Sequence, residues 1–266
     1  MSTIALSPLD LALAASLLAI NAAISWAFGL RLERSIAIAA VRMVVQLALI
    51  GLVLKFIFAQ TSPAWTLTLV LVMAGAAGVE VVTRQHRRLK GWQALGLSSA
   101  TLLFIGVAIT SLGVGVIIGP EPWYAPRYLL PILGMVLGNA MTAMSLVLDT
   151  FCETVHRERA AIEARLALGA PRGTAMSGAL RSALRTGMTP ILNSMATTGI
   201  VALPGMMTGQ ILAGADPLAA VKYQILIMFL IAAATALAAF FGGLGAVLLL
   251  TDKRHRLRLD RLAAPA

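Results

Sequence analysis

Charge is what this chain has least of. Only 12% of its 266 residues are Asp, Glu, Lys or Arg, about half the share of a soluble domain. It therefore lacks the polar surface to face water on every side. Cysteine occurs once, as Cys152, which excludes an internal disulfide. Histidine occurs three times, as His86, His156 and His255, with no metal-ligand spacing among them. No G-x-x-x-x-G-K-[ST] phosphate loop is present, so the chain is not expected to hydrolyse ATP by itself. Acidic and histidine residues are too scattered for an acid–base site, and no catalytic residue is assigned. No basic stretch precedes the first apolar run, where Asp10 stands instead; an uncleaved first span is expected rather than a signal peptide.

Apolar sequence is what there is. Hydrophobic residues make up 59% of the chain and its mean hydropathy is +0.88. A helix crossing a bilayer needs about 20 apolar residues. Seven runs meet that need, near 6–29, 36–58, 64–82, 94–118, 128–148, 190–213 and 219–250. They are continuously apolar rather than alternating, which argues against a β-barrel. The expected fold class is all-α: one polytopic membrane bundle over residues 1–266.

The net charge of +10 would suggest nucleic acid in a soluble protein. Here the basic residues cluster between spans, as cytoplasmic loops require, and no nucleic acid is expected. Arg31, Arg34 and Arg42 form one cluster; Arg84, Arg87, Arg88 and Lys90 the next. Arg157, Arg159, Arg165, Arg172, Arg181 and Arg185 follow in the longest loop, and Lys253, Arg254, Arg256, Arg258 and Arg261 in the tail. Those are 18 of the 21 basic residues. Seven spans with these clusters on one side put the N-terminus outside and the C-terminus in the cytoplasm. The outer connections are turns: Thr61–Pro63, the Pro-rich GPEPWYAP of Gly119–Pro126, and Gly214–Pro217.

The longest polar interruption runs over 150–189 and reads as two amphipathic helices. Val155, Ile162 and Leu166 share a face in the first. Gly169 stops it, Pro171 opens the second, and Met176, Leu180 and Leu184 line that one. Pro190 then begins the sixth span. Such a segment between two spans is read as a coupling element on which a soluble partner pushes.

Polar residues within spans are costly and informative. Asn21, Arg42, Gln46, Glu80, Asn139, Asp149 and Asn193 stand out. Glu80 is either an i,i+4 ion pair with Arg84 or part of a transport pathway. Asp149 lies near the inner boundary, where solvation suffices. Asn139 and Asn193 bond between helices or line a pathway. Met135, Met141, Met144, Met195, Met206 and Met207 are flexible packing or soft ligands. Gly134 with Gly138, and Gly205 with Gly209, are G-x-x-x-G pairs that allow helix backbones to approach. Pro204 followed by Gly205, in the run LPGMMTGQ that ends at Gln210, predicts a break in the sixth span.

The stretches IEARLALGA (Ile162–Ala170), ALRTGMTPILNSMATTGIVALPGMMTGQILAGADP (Ala183–Pro217) and VKYQILIMF (Val221–Phe229) resemble the FetB/YbbM-like family, the permease subunits of iron-export ABC transporters. RMVVQL (Arg42–Leu47) matches more weakly. The resemblance implies a multi-pass permease in the bacterial inner membrane, working as a homodimer in the lipid bilayer. It implies a separate ATP-binding subunit that holds ATP and magnesium, with no cofactor in this chain. Glu163, Ala164 and Arg165, with Gly169 and the preceding Glu153, resemble the docking loop of ABC permeases. The substrate implied is iron or another metal; export of a nucleotide sugar such as UDP-glucose is the alternative through plant relatives. Gln46, Glu80, Asn139, Asn193, Met195 and Met206 are the pathway candidates, and no metal ligand set is assigned. A secondary transporter without an ATPase would need a mid-membrane charge pair, for which few charges are available.

Overall fold

Three helices begin where a capping side chain is followed by proline. Ser7 caps the first through a reciprocal box with Asp10, Ser62 accepts from the Ala64 amide, and Asp216 accepts from the Ala219 amide at 2.9 Å. The prolines at positions 8, 63 and 217 need no hydrogen bond in the first turn, and their φ is already helical. The computed structural model describes residues 7–59, 62–252 and 254–263. Residue 6 of the first expected span, Thr61 of the first turn and Lys253 of the tail cluster lie outside the described residues.

In chain order the helices are α1 Pro8–Ala27, α2 Glu33–Ala59, α3 Pro63–Thr83, α4 Trp92–Ser111 with a π-helical extension Leu112–Ile118, and α5 Pro126–Arg157. Then come α6 Arg159–Ala167, α7 Arg172–Ala175, α8 Ser177–Thr197, α9 Gly205–Leu212 and α10 Pro217–Leu249, with a short 3₁₀ turn at Leu259–Arg261. The described chain is helical throughout, a multi-pass membrane bundle. It divides into two compact units, Met1–Thr61 and Ser62–Ala266. In the first, α1 and α2 form a hairpin whose turn is closed by Ser25: its hydroxyl donates to Glu33 at 3.1 Å and accepts from the Leu32 amide at 2.9 Å.

In the second unit α5 and α10 form the centre, flanked by α3, α4 and α8. Glycine lets these helices meet. A Cβ on Gly242 would strike Met144, one on Gly243 would strike Leu180, and one on Gly245 would strike Leu97. At Gly187 it would meet Val147 and lie 2.9 Å from the Ala143 carbonyl. Pairing of Gly113 with Leu230 and of Gly245 with Leu97 runs α4 antiparallel to α10. Phe151, Met144, Leu133 and Ile227 fill the space between. Exposed leucine, valine and phenylalanine cover the outside, as hydrocarbon surroundings require.

Six helices among the described residues are long and apolar enough to cross a membrane. The sixth expected span, 190–213, is not one of them. Pro190 does not open a helix; it lies inside α8, which runs from Ser177 to Thr197. Thr186 and Thr189 bond their hydroxyls to the Ser182 and Arg185 carbonyls around it. The helix then breaks over 198–204, and the chain resumes as α9 with Pro204 as its N-cap. The break is wider and earlier than a kink at Pro204-Gly205. Gly199 takes φ +86 and donates to the Ala202 carbonyl at 2.9 Å. Leu203, preceding proline, is disfavoured in a helix.

The polar interruption is also shorter than 150–189. α5 runs on to Arg157, so Glu153 and Val155 belong to it, and α8 takes up residues 177–189. Only 158–176 lies between the long helices. Inside the chain the glycine pairs make little helix contact. Nothing lies within 4 Å of a Cβ built on Gly138, Gly205 or Gly209, and Gly134 has only Met73 at 3.4 Å. Helix contact falls to isolated glycines, whose partners lie far away in sequence.

Candidate functional site

The segment between α5 and α8 folds as an elbow. α6 ends in a Schellman turn: the Gly169 amide bonds to the Leu166 carbonyl and the Ala170 amide to the Arg165 carbonyl, both at 3.0 Å. Gly169 takes φ +88, a conformation that costs other residues strain. Arg165 reaches back to the Ala175 carbonyl at 3.1 Å and ties α6 to α7. Ile162 is buried beneath, and Arg159 pairs with Glu163 along α6 at 2.9 Å. Pro171 caps α7 rather than occupying its first turn. At the bend Leu168 is 88% exposed, with Ala164 and Ala167 exposed beside it. An apolar tip on a braced elbow is suited to a groove on another protein.

Glu153 lies at the end of α5 and is absent from the elbow. It pairs with Arg87 of the α3–α4 loop at 2.7 Å. That loop is held from two further sides. Asp149 accepts from the His86 amide at 2.7 Å. The tail bonds back through Lys90 N–H to the Arg261 carbonyl (2.7 Å) and Ala263 N–H to the Arg88 carbonyl (2.8 Å). Arg261 also donates to the Leu249 carbonyl at the end of α10. In the tail, hydrogen bonds from Arg258 lower the Asp260 carboxyl to about 2. The Arg256 and Arg254 amides and the Arg256 guanidinium likewise hold Asp252 below its ordinary value. The basic ends of α3, α4, α5 and α10 are thus knitted into one plate.

Within the second unit the pathway candidates lie on separate helices. Glu80 forms the expected ion pair with Arg84 at 3.0 Å. Asn139 donates to the Met135 carbonyl of its own helix. Asn193 and Met195 lie exposed on α8, Met206 and Gln210 are half-buried on α9, and Gln46 is exposed on α2 in the first unit. The Gln210 carbonyl oxygen is buried without a partner. Met144 packs against Gly242, which is core and not ligation. No group of three or more His, Cys, Asp or Glu that could hold a metal occurs among the described residues.

Two features are new. Thr186, Thr189, Asn193 and Thr197 make an exposed polar stripe on α8, beside its buried Ala179, Ala183, Gly187 and Ile191. The 3–4 spacing was legible, but not the side it faces. The second is a pocket of about 290 Å³ between α3 and α5, lined by Arg84, Thr142, Ser145, Leu146 and Asp149. Thr142 and Ser145 carry no sequence signal, because hydroxyls in membrane helices commonly bond their own backbone.

A family model described as "Uncharacterised protein family (UPF0014)" matches residues 8–248. The chain belongs to the UPF0014 family. The Escherichia coli (strain K12) protein named "Probable iron export permease protein FetB" is 33% identical over 253 residues, 95% of each chain. "UPF0014 membrane protein slr1647" of Synechocystis is 41% identical over 207 residues, 76% of this chain and 78% of that one. Rice "UPF0014 membrane protein STAR2" is 36% identical over 216 residues, 81% of this chain and 73% of its own length. No solved structure matches. Membership of UPF0014 agrees with the helical membrane fold, and the FetB relative is named as a permease.

Proposed function

We propose that this UPF0014 chain is the membrane permease of an ABC transporter that exports a metal, with iron as the first candidate. A separate ATP-binding subunit, holding ATP and magnesium, docks on the elbow from Glu158 to Met176. The observation that carries the reading is the elbow itself. Leu168 offers an apolar tip, and the Arg165–Ala175 bond and buried Ile162 make the support stiff. A push there passes to α5 and α8, which it directly joins, as rigid-body motion. The export substrate rests on the name of the FetB relative.

Two copies complete the permease in the bacterial inner membrane. The threonine hydroxyls of the α8 stripe bond their own backbone, but lipid leaves the exposed Asn193 amide poorly served; a facing copy, with a water-lined path between, would serve it. Thr186, Thr189, Asn193 and Thr197 then line the route, with Met195 on the same helix. The basic ends face the cytoplasm, as positive-inside charge requires.

The test is a pull-down from native membranes followed by an ATPase assay of the eluate. The expected result is co-purification of a Walker-motif subunit whose activity falls when Leu168→Asp disrupts the tip. Purification of this chain alone, with no ATPase under any condition, overturns the reading. ATP-dependent uptake of UDP-glucose into inverted vesicles, without metal uptake, would replace metal by nucleotide sugar.

A further inference from the structure

The pocket between α3 and α5 has an arrangement that none of its parts explains alone. Ser145 is only 7% exposed, and its hydroxyl makes no hydrogen bond among the described residues although it lines the pocket. One turn either way on α5 stand Thr142, whose hydroxyl donates to the Gly138 carbonyl at 2.8 Å and keeps its lone pairs, and Asp149. Asp149 spends one oxygen on the His86 amide at 2.7 Å. Across from them Arg84 lines the wall, with its Nε held by Glu80 at 3.0 Å.

We propose that this pocket is the entry site for a hydrated divalent cation, the first station of the exported metal. The claim deepens the export reading and rests on it. The donors are oxygens: the Asp149 carboxylate and the Ser145 and Thr142 hydroxyls. Hard cations prefer such oxygens, and a cation that keeps most of its water needs only one or two carboxylates. A volume of about 290 Å³ equals roughly ten waters at about 30 Å³ each, enough for an ion with its first shell. Asp149 is the anion lining the pocket, and the one lining cation, Arg84, is paired with Glu80 at 3.0 Å.

Arg84 has a defined role in this arrangement. In the empty pocket its guanidinium neutralises Glu80. An arriving cation repels it and takes its place as the counter-charge of Glu80. Arg84 is thus a resident competitor that keeps the site weak, as a station on a route must be. An anion site would use Arg84 in the opposite sense, and the two are separable by one substitution.

The experiment is a titration of the purified full-length chain in nanodiscs with Mn²⁺, read by loss of the free-ion electron paramagnetic resonance signal. Wild type is expected to bind one Mn²⁺ per chain, with a Kd below about 1 mM. Asp149→Asn should weaken binding at least about tenfold, and Ser145→Ala about threefold. Arg84→Gln should tighten it at least about threefold. Ser145→Ala removes a side chain that bonds nothing, so it decides the matter if Asp149→Asn does not fold. No binding by wild type, wild-type binding in both Asp149→Asn and Ser145→Ala, or weaker binding in Arg84→Gln overturns the proposal. The titration needs no ATP-binding subunit, so its failure is separable from failure of the permease reading, which the pull-down decides.

Discussion

Replacing Gly169 isolates the backbone from the side chain. Nothing lies within 4 Å of a Cβ built there, so Gly169→Ala and Gly169→Val meet no steric wall. What they meet is φ +88. For an L-residue the left-handed region costs roughly 1–2 kcal/mol. Alanine recovers about 0.4–1 kcal/mol through a less flexible unfolded chain, which leaves a net cost near 1 kcal/mol. Valine, branched at Cβ, is a true outlier there and should cost about 2 kcal/mol or more. At 1.4 kcal/mol per factor of ten, local opening of the Schellman turn rises about fivefold for alanine and about 30-fold for valine. The nine-residue α6 has little stability of its own to absorb this. The assay is amide hydrogen exchange at positions 169 and 170, whose partners are the Leu166 and Arg165 carbonyls. Gly173→Ala, in α7 with an open Cβ position and no positive φ, is the control and should leave exchange unchanged or slower. If an ATP-binding subunit docks here, its stimulation by the chain should fall in the same order. Equal exchange in wild type and Gly169→Val would refute the account of the elbow.

Gly187→Val should lower thermal stability by about 1–3 kcal/mol, because its Cβ would press on Val147 and the Ala143 carbonyl; Gly138→Ala, inside α5 with open space at Cβ, should raise it by up to about 1 kcal/mol, and a melting scan of both variants checks the pair. Phe151→Ala empties a fully buried position and should cost about 3–5 kcal/mol in the same scan. The tail should detach in acid. Asp260 has a folded-state value of about 2, below its unfolded one, so its contribution is present above about pH 4. That contribution should disappear as pH falls through about 2, seen as loss of exchange protection at the Lys90 and Ala263 amides, and Asp260→Asn should remove the pH dependence.

Much of the site was legible in pieces. Glu80 and Arg84 meet because a helix brings residues four apart together, and Gly169 stops α6 because its own conformation allows the turn. Both are facts about a few adjacent residues. What a proline or a glycine pair does depends on surroundings. Pro190 can start a helix, but it is carried within one packed through Gly187 on α5; a G-x-x-x-G pair allows contact, but helices inside the chain meet at Gly187, Gly242, Gly243 and Gly245. Glu153 lies beyond the apolar run, yet α5 extends past it and Arg87 receives it.

The sequence by itself determined that this chain lives in a bilayer, that its elements are helices, where several of them start, and which ends carry the arginines. Apolar length, capping residues and charge are local quantities, and a bilayer leaves the backbone few alternatives to helix. Folding in three dimensions decided that the break in 190–213 covers 198–204, that α5 and α10 form the centre, and that Arg84, Thr142, Ser145 and Asp149 share one pocket. Those residues come from two helices about 60 positions apart in the chain. Their meeting depends on how α3 is rotated against α5, and that is set by side-chain packing over the whole contact.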